Sequence, residues 1–242
     1  MGDGVVRLRS STFLVGWAYD DSAVRVEDPP FTIETASLVV EAGVAPRLTL
    51  TASAPFVWIP GSPSTPTTGD AVLGGMIALL DAGPDPLSFA LSLDLKLPLY
   101  EGKPTIRGRG IDGKPAVGDG QVDVTAGAVM VAPLPLGGAM DLYLGYRLRT
   151  GGISDAVVGG GRFGVWLLEK RFFVSVLLDT VITLVPDEFS EDVLGRGYAA
   201  LGPRVSVRVV DKVFVDVGAS YVGRGTNAPG GLELMFGVSA GF

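Results

Sequence analysis

The chain has 242 residues, a formal net charge of −7, and neither histidine nor cysteine. Hydrophobic residues make up 47% and charged residues only 19%, against roughly 25% charged in soluble domains. The acidic balance and the lack of a Lys/Arg cluster exclude a nucleic-acid partner. The absence of histidine and cysteine removes the commonest general base, metal ligands and thiol nucleophile. No other motif in the sequence supports catalysis or ligation, so we expect no metal site, no cofactor and no enzymatic activity.

The apolar residues do not form the runs that a membrane-spanning helix needs. Mean hydropathy is +0.41, yet the uncharged stretches 48–69 and 124–140 are interrupted by prolines and glycines. A helical span requires about 20 consecutive apolar residues. An apolar composition without apolar runs is typical of a membrane β-barrel, in which every second residue faces the lumen.

Strands separated by turn signals are predicted along the first half of the chain. The first four cover residues 5–17, 36–44, 47–58 and 70–80. The fifth, residues 87–97, has the clearest alternation, because leucine or phenylalanine occupies every second position along it. A helix would spread those side chains around its whole circumference, so the period of two predicts a strand.

The second half of the chain continues the same pattern. Further strands are predicted at residues 121–130, 140–149, 160–168, 172–182, 198–210, 213–221 and 232–242. The last of these is the most regular. Its apolar face is opposed by small and polar residues, a pattern that suits a strand between lipid and a lumen; the apolar face comprises Leu232, Leu234, Phe236, Val238, Ala240 and Phe242.

Connection lengths alternate as well. Long connections are predicted after the odd strands and short turns after the even ones. An even-stranded barrel with both termini in the periplasm has this asymmetry. The sequence therefore predicts one domain, residues 1–242, that forms an all-β, membrane-spanning, antiparallel up-and-down β-barrel of about 12 strands.

Charged residues of both signs fall on the face that would line the lumen. The candidate selectivity residues are Arg147, Arg149, Lys96, Asp123, Asp94, Arg162, Arg204, Arg208 and Glu233. Strand spacing predicts that Asp123 lies near Lys96 and Arg149, and that Arg208 lies near Asp216. One interpretation is a charged constriction that selects small solutes. The other is a set of ion pairs that fills the interior and leaves no continuous path.

Several segments resemble a family of bacterial outer-membrane barrels, some of which are encoded in phenol- and hydrocarbon-degradation pathways. They are residues 47–55 (RLTLTASAP), 69–74 (GDAVLG), 95–98 (LKLP), 145–149 (GYRLR) and 218–230. The resemblance implies a location in the bacterial outer membrane, with lipid and lipopolysaccharide as partners. It also implies that Phe242, the terminal aromatic residue, is the assembly signal read by the barrel-assembly machinery.

Three functions remain open from the sequence. The first is a monomeric, porin-like channel for passive diffusion of small solutes or ions through a narrow charged lumen. The second, suggested by the resemblance, is a transporter of small hydrophobic or aromatic compounds, with an apolar pocket under the loop at residues 56–60. The third is a non-conducting structural barrel whose interior ion pairs meet across the lumen.

Overall fold

The computed structural model describes residues 4–19, 24–59, 67–80, 87–99, 121–150, 154–184, 197–226 and 228–242. Within these residues the chain forms twelve barrel strands. The strands are β1 (Gly4–Tyr19), β2 (Arg25–Ala45), β3 (Leu48–Trp58), β4 (Asp70–Leu80), β5 (Ser88–Pro98), β6 (Asp123–Leu134), β7 (Gly138–Arg149), β8 (Ala156–Leu167), β9 (Phe172–Thr183), β10 (Gly197–Val210), β11 (Val213–Thr226) and β12 (Pro229–Gly241). A two-residue segment, Thr67–Thr68, extends the sheet beside β3. None of the described helices is long and apolar enough to cross a bilayer.

The sheet closes on itself. Each strand pairs antiparallel with its neighbours in sequence, and β1 pairs with both β2 and β12. At the seam, the Gly4 and Phe242 backbones exchange two hydrogen bonds, with N–O distances of 3.1 and 2.9 Å. Closure removes the open strand edges of the barrel wall, whose backbone groups lipid could not hydrogen-bond. The predicted all-β, antiparallel up-and-down barrel of about 12 strands is confirmed.

The two faces of the barrel have opposite chemistry. Large apolar side chains point outward, where Leu144 remains 63% exposed and Leu93 58% exposed. Polar side chains point inward, and Asp123 is only 1% exposed. This distribution is the reverse of that in a soluble domain. It matches a wall that faces hydrocarbon on the outside and a polar lumen on the inside.

Gly4 and Phe242, the first and last described residues, lie at one end of the barrel, called here the near end, together with the tight turns at residues 46–47, 168–171 and 211–212. The opposite end is called the far end. The predicted long connections at residues 100–120 and 185–196 lie outside the described residues.

Two predicted far-end loops are instead strand. β2 begins at Arg25 rather than at residue 36, and β11 and β12 leave only residues 227–228 between them. Proline and glycine in these stretches suggested loops, because they are typical of turns. The prolines at residues 29–30 fall at a register shift between β1 and β2. Gly230 is required for space, since a Cβ there would collide with the Trp17 indole ring.

Candidate functional site: the lumen

A buried ion cluster lies at the far end of the lumen. The register places Asp123 opposite Lys96 on one side and Arg149 on the other. The Lys96 Nζ atom is 2.6 Å from Asp123 Oδ2 and 3.6 Å from Asp70 Oδ2. The predicted proximity of Asp123 to Lys96 and Arg149 is thus confirmed. Ionised side chains this buried persist in proteins only when they are paired.

Two hydrogen bonds connect the end of β7, which carries Arg149, to the residue that precedes β8. The Arg149 backbone N–H donates to Asp155 Oδ1 at 3.0 Å, and the Tyr146 hydroxyl donates to Asp155 Oδ2 at 2.7 Å. These two hydrogen bonds to the charged form lower the pKa of the Asp155 carboxyl, which lies outside the strands. The contacts order the strand end from which the Arg149 side chain extends.

Asp94 and Arg147 lie one level closer to the barrel centre. Arg147 Nε donates to Thr125 Oγ1 at 3.3 Å, and Asp94 is within electrostatic reach of Arg147. Gly74 opposes Asp94 on β4, and a Cβ at Gly74 would collide with the Asp94 carboxylate and the Thr51 hydroxyl. The glycine therefore makes room for a charged side chain on the lumen wall.

Arg162 forms part of the wall built by β7 to β9. Its Nε and Nη2 atoms lie 2.9 and 2.7 Å from Asp141 Oδ2. Its guanidinium also lies 5.1 Å from the centre of the Phe173 ring, which packs on Trp166 at 4.9 Å between ring centres. The aromatic pair holds the guanidinium at a fixed height in the lumen.

The facing wall, built by β10, β11, β12, β1 and β2, carries Arg204 and two further arginines. Arg204 Nη2 is 3.7 Å from Asp216 Oδ2, and Arg7 pairs with Glu41. The sequence-based list omitted Arg7 and Arg9. Both alternate with the apolar residues of β1, so the period-two pattern was sufficient to find them.

The predicted proximity of Arg208 to Asp216 is wrong. The register sets Asp216 opposite Ser206, which donates a hydrogen bond to it, and sets Arg208 opposite Phe214. Arg208 Nη2 instead donates to the Glu169 carbonyl oxygen at 3.1 Å, at the turn between β8 and β9. Arg208 therefore lies at the near-end rim rather than among the central lumen charges.

Two carboxylates toward the far end are held by hydroxyl groups rather than by cations. Asp179 accepts hydrogen bonds from Tyr143 at 3.0 Å and from Tyr198 at 2.7 Å. Glu233 accepts one from Ser220 at 3.1 Å. Among the described residues, neither carboxylate forms an ion pair. The part of the lumen that both carboxylates line, in the upper cavity described below, is therefore acidic.

Four cavities follow one another along the lumen and share lining residues. The basal cavity, about 300 Å³, lies at the near end beside Gly4. The central cavity, about 610 Å³, lies between Asp141 and Asp216. The narrow cavity, about 240 Å³, is lined by Ser37, and the upper cavity, about 400 Å³, by Ala228.

Neighbouring cavities in this series have common walls. The basal and central cavities share Arg7, Phe214 and Ser239. The central and narrow cavities share Arg9, Leu177, Arg204 and Asp216. The narrow and upper cavities share Ser11, Thr35, Leu177, Glu233 and Met235. The series therefore runs from the near end, past Arg204, toward the far end.

No group of three or more acidic side chains in the described part of the chain could hold a metal ion. The chain's own side chains thus offer ion pairs, hydroxyl groups and apolar walls as the chemistry of the lumen.

Neither a protein-family model nor a curated protein sequence matches the chain. Among solved structures, it is similar to an outer membrane channel from Pseudomonas putida F1, with 14% identity, coverage of 100% and 96% of the two chains, and a TM-score of 0.71. It is also similar to the KdgM porin in complex with disordered oligogalacturonate, with 8% identity, coverage of 98% and 99%, and a TM-score of 0.58.

A third similar structure is the translocator domain of the autotransporter NalP from Neisseria meningitidis, with 14% identity, coverage of 97% and 88%, and a TM-score of 0.51. At such low sequence identity, similarity to these structures indicates the fold but not which solute passes. The chain therefore has the fold of a bacterial outer-membrane β-barrel, as its sequence predicted.

Proposed function

We propose that the chain is a monomeric, porin-like channel of the bacterial outer membrane that passes small molecules or ions passively through a narrow charged lumen. The observation that carries this proposal is the series of four cavities with shared walls. A barrel of about eight strands is filled by side chains, whereas 16 or more strands leave a wide channel. Twelve strands suit a narrow passage.

The lumen charges provide the selectivity in this proposal. Lys96, Asp123, Arg149, Asp94 and Arg147 act at the far-end entrance. Arg162, Arg204 and Glu233 act along the cavities, and Arg208 acts at the near-end rim. Rings of fixed charge select permeating ions by sign, because the low-dielectric walls of a narrow lumen focus their field.

The surroundings of the barrel follow from the same proposal. Its apolar outer wall faces outer-membrane lipid, with lipopolysaccharide in the outer leaflet. The barrel-assembly machinery reads Phe242, whose side chain is exposed at the end of the closing strand. The similar proteins are a channel, a porin and a translocator, which supports transport rather than catalysis.

Single-channel recording tests this proposal. The chain would be refolded, its folded state checked by heat-modifiable migration on a gel, and single-channel current recorded across a planar bilayer under a KCl gradient. We expect discrete current steps and a non-zero reversal potential. A folded barrel that inserts yet stays silent would refute the channel and favour the non-conducting structural barrel.

Transport of small hydrophobic or aromatic compounds is the second candidate. The loop proposed from the sequence supports it poorly, since Phe56 and Trp58 point outward and line none of the four cavities; residue 60 lies outside the described residues. The upper cavity supports it better, because Phe13, Ile33 and Val222 form much of its wall. Saturable binding of a neutral apolar compound would favour this candidate.

A further inference from the structure

One lumen arginine, Arg9, forms no direct ion pair among the described residues, although Asp216 and Glu41 attract its charge at longer range and Arg7 and Arg204 repel it. Arg7, Arg162 and Arg204 each pair with a carboxylate. Among the described residues, Arg9 makes neither an ion pair nor a hydrogen bond, and its side chain is exposed to the lumen. It lines both the central and the narrow cavities. Its positive charge is therefore available to a molecule inside the lumen.

The narrow cavity surrounds this guanidinium with hydroxyl groups. Ser11, Thr35 and Ser37 line it together with Arg9. Gly237 lies opposite Arg9 on β12, where a Cβ would approach Arg9 Cγ to 3.5 Å. A larger side chain at Gly237 would crowd the guanidinium. A planar guanidinium with adjacent hydroxyl donors is the arrangement that binds an oxyanion.

The acids in the same cavity are already engaged. Asp216 accepts a hydrogen bond from Ser206 and pairs with Arg204. Glu233 accepts from Ser220. Asp216 lies beside Arg9 across Gly237 and attracts it without a direct hydrogen bond, so the guanidinium donors of Arg9 stay unused.

We propose that Arg9, with Ser11, Thr35 and Ser37, forms a binding site for the carboxylate of a small apolar monocarboxylic acid. The site deepens the proposed channel function and rests on it. The apolar part of the solute would extend into the upper cavity, which shares Leu177 with the narrow one.

The difference in charge between the narrow and upper cavities orients this solute. Asp179 and Glu233 line the upper cavity, which has no basic residue among its described walls. They repel a carboxylate there, so its charged head is directed toward Arg9. The same repulsion disfavours a dicarboxylate, whose second charge would enter the acidic upper cavity.

Hexanoate is the probe, and hexanamide is its uncharged counterpart. Binding to the folded barrel in detergent micelles would be measured by isothermal titration calorimetry, at constant ionic strength with chloride as the competing anion. We expect hexanoate to bind and hexanamide to bind at least about tenfold more weakly, because charged hydrogen bonds are lost.

The test variant is Arg9→Gln and the matched control is Arg171→Gln, which removes the same charge at the exposed turn between β8 and β9. We expect at least about tenfold weaker hexanoate binding in R9Q, unchanged binding in R171Q, and intermediate binding in R9K. Arg9 has no described ion pair or hydrogen bond to lose, so R9Q should fold. Equal binding of hexanoate by R9Q and the unmodified chain would overturn the site, as would equal binding of hexanamide.

Calorimetry tests the proposed binding site independently of the proposed conduction. A barrel that binds hexanoate through Arg9 but stays electrically silent keeps the site and refutes conduction. A conducting barrel that does not bind hexanoate keeps the channel and refutes the site.

Discussion

Removing Lys96 should destabilise the barrel far more than removing a solvent-exposed arginine. Lys96 Nζ lies 2.6 Å from Asp123 Oδ2, and their side chains are 15% and 1% exposed. The Lys96→Met substitution keeps the apolar stem but leaves two carboxylates, Asp123 and Asp70, with one cation fewer. Breaking a buried ion pair costs about 3–5 kcal/mol. We expect the low end, about 3 kcal/mol, because Arg149 remains beside Asp123.

The matched control is Arg162→Met. Arg162 and Asp141 are 34% and 36% exposed, so solvent screens the pair and breaking it should cost about 0–1 kcal/mol. Loss of the Arg162 contact with the Phe173 ring should add about 0.5–1 kcal/mol. Urea unfolding in lipid vesicles would give both free energies. The double variant K96M/D123N should recover part of the loss, since it removes the stranded charge. Equal losses in K96M and R162M, or a K96M loss below about 1 kcal/mol, would refute the reasoning.

Three further predictions concern selectivity, lipid contact and assembly. Replacing Arg147 and Arg149 together by Gln should shift ion preference toward cations; an unchanged reversal potential would count against this site. Leu144→Arg, on the lipid-facing wall, should cost about 2–4 kcal/mol of unfolding free energy if the position is near the bilayer centre, whereas Met76→Arg, facing the lumen, should cost less; equal losses would contradict the assignment of faces. Phe242→Ala should slow assembly by the purified machinery while leaving the urea midpoint of the folded barrel nearly unchanged, because the closing contacts there are backbone hydrogen bonds; wild-type assembly rates would rule out a signal role.

Face alternation was predictable from sequence because a strand's side chains alternate strictly, whatever its neighbours are. The outward leucines of β5 and the apolar face of β12 required no knowledge of pairing. Cross-strand partners are different, since they depend on register. Asp123 and Lys96 could be matched because both lie at strand ends beside one long connection. Arg208 could not be matched correctly, because the register sets it opposite Phe214 rather than Asp216.

Strand ends were harder to predict than strand faces. Proline and glycine are typical of turns, so residues 25–35 and 223–230 suggested loops, although tall hairpins form there. The reason is tertiary: Gly230 is needed because the Trp17 ring occupies the space of a side chain. The lining of each cavity likewise depends on which strands face each other across the barrel, and local sequence carries no such information.

Cysteine accessibility during single-channel recording tests the central claim most directly, because the chain has no native cysteine. Ser37→Cys places a thiol in the narrow cavity, and Leu38→Cys places one on the lipid-facing wall. A small charged thiosulfonate reagent would be added during recording. A continuous lumen predicts stepwise loss of current in S37C and none in L38C. Full modification of S37C, verified by mass, with no change in current would contradict conduction through this series of cavities.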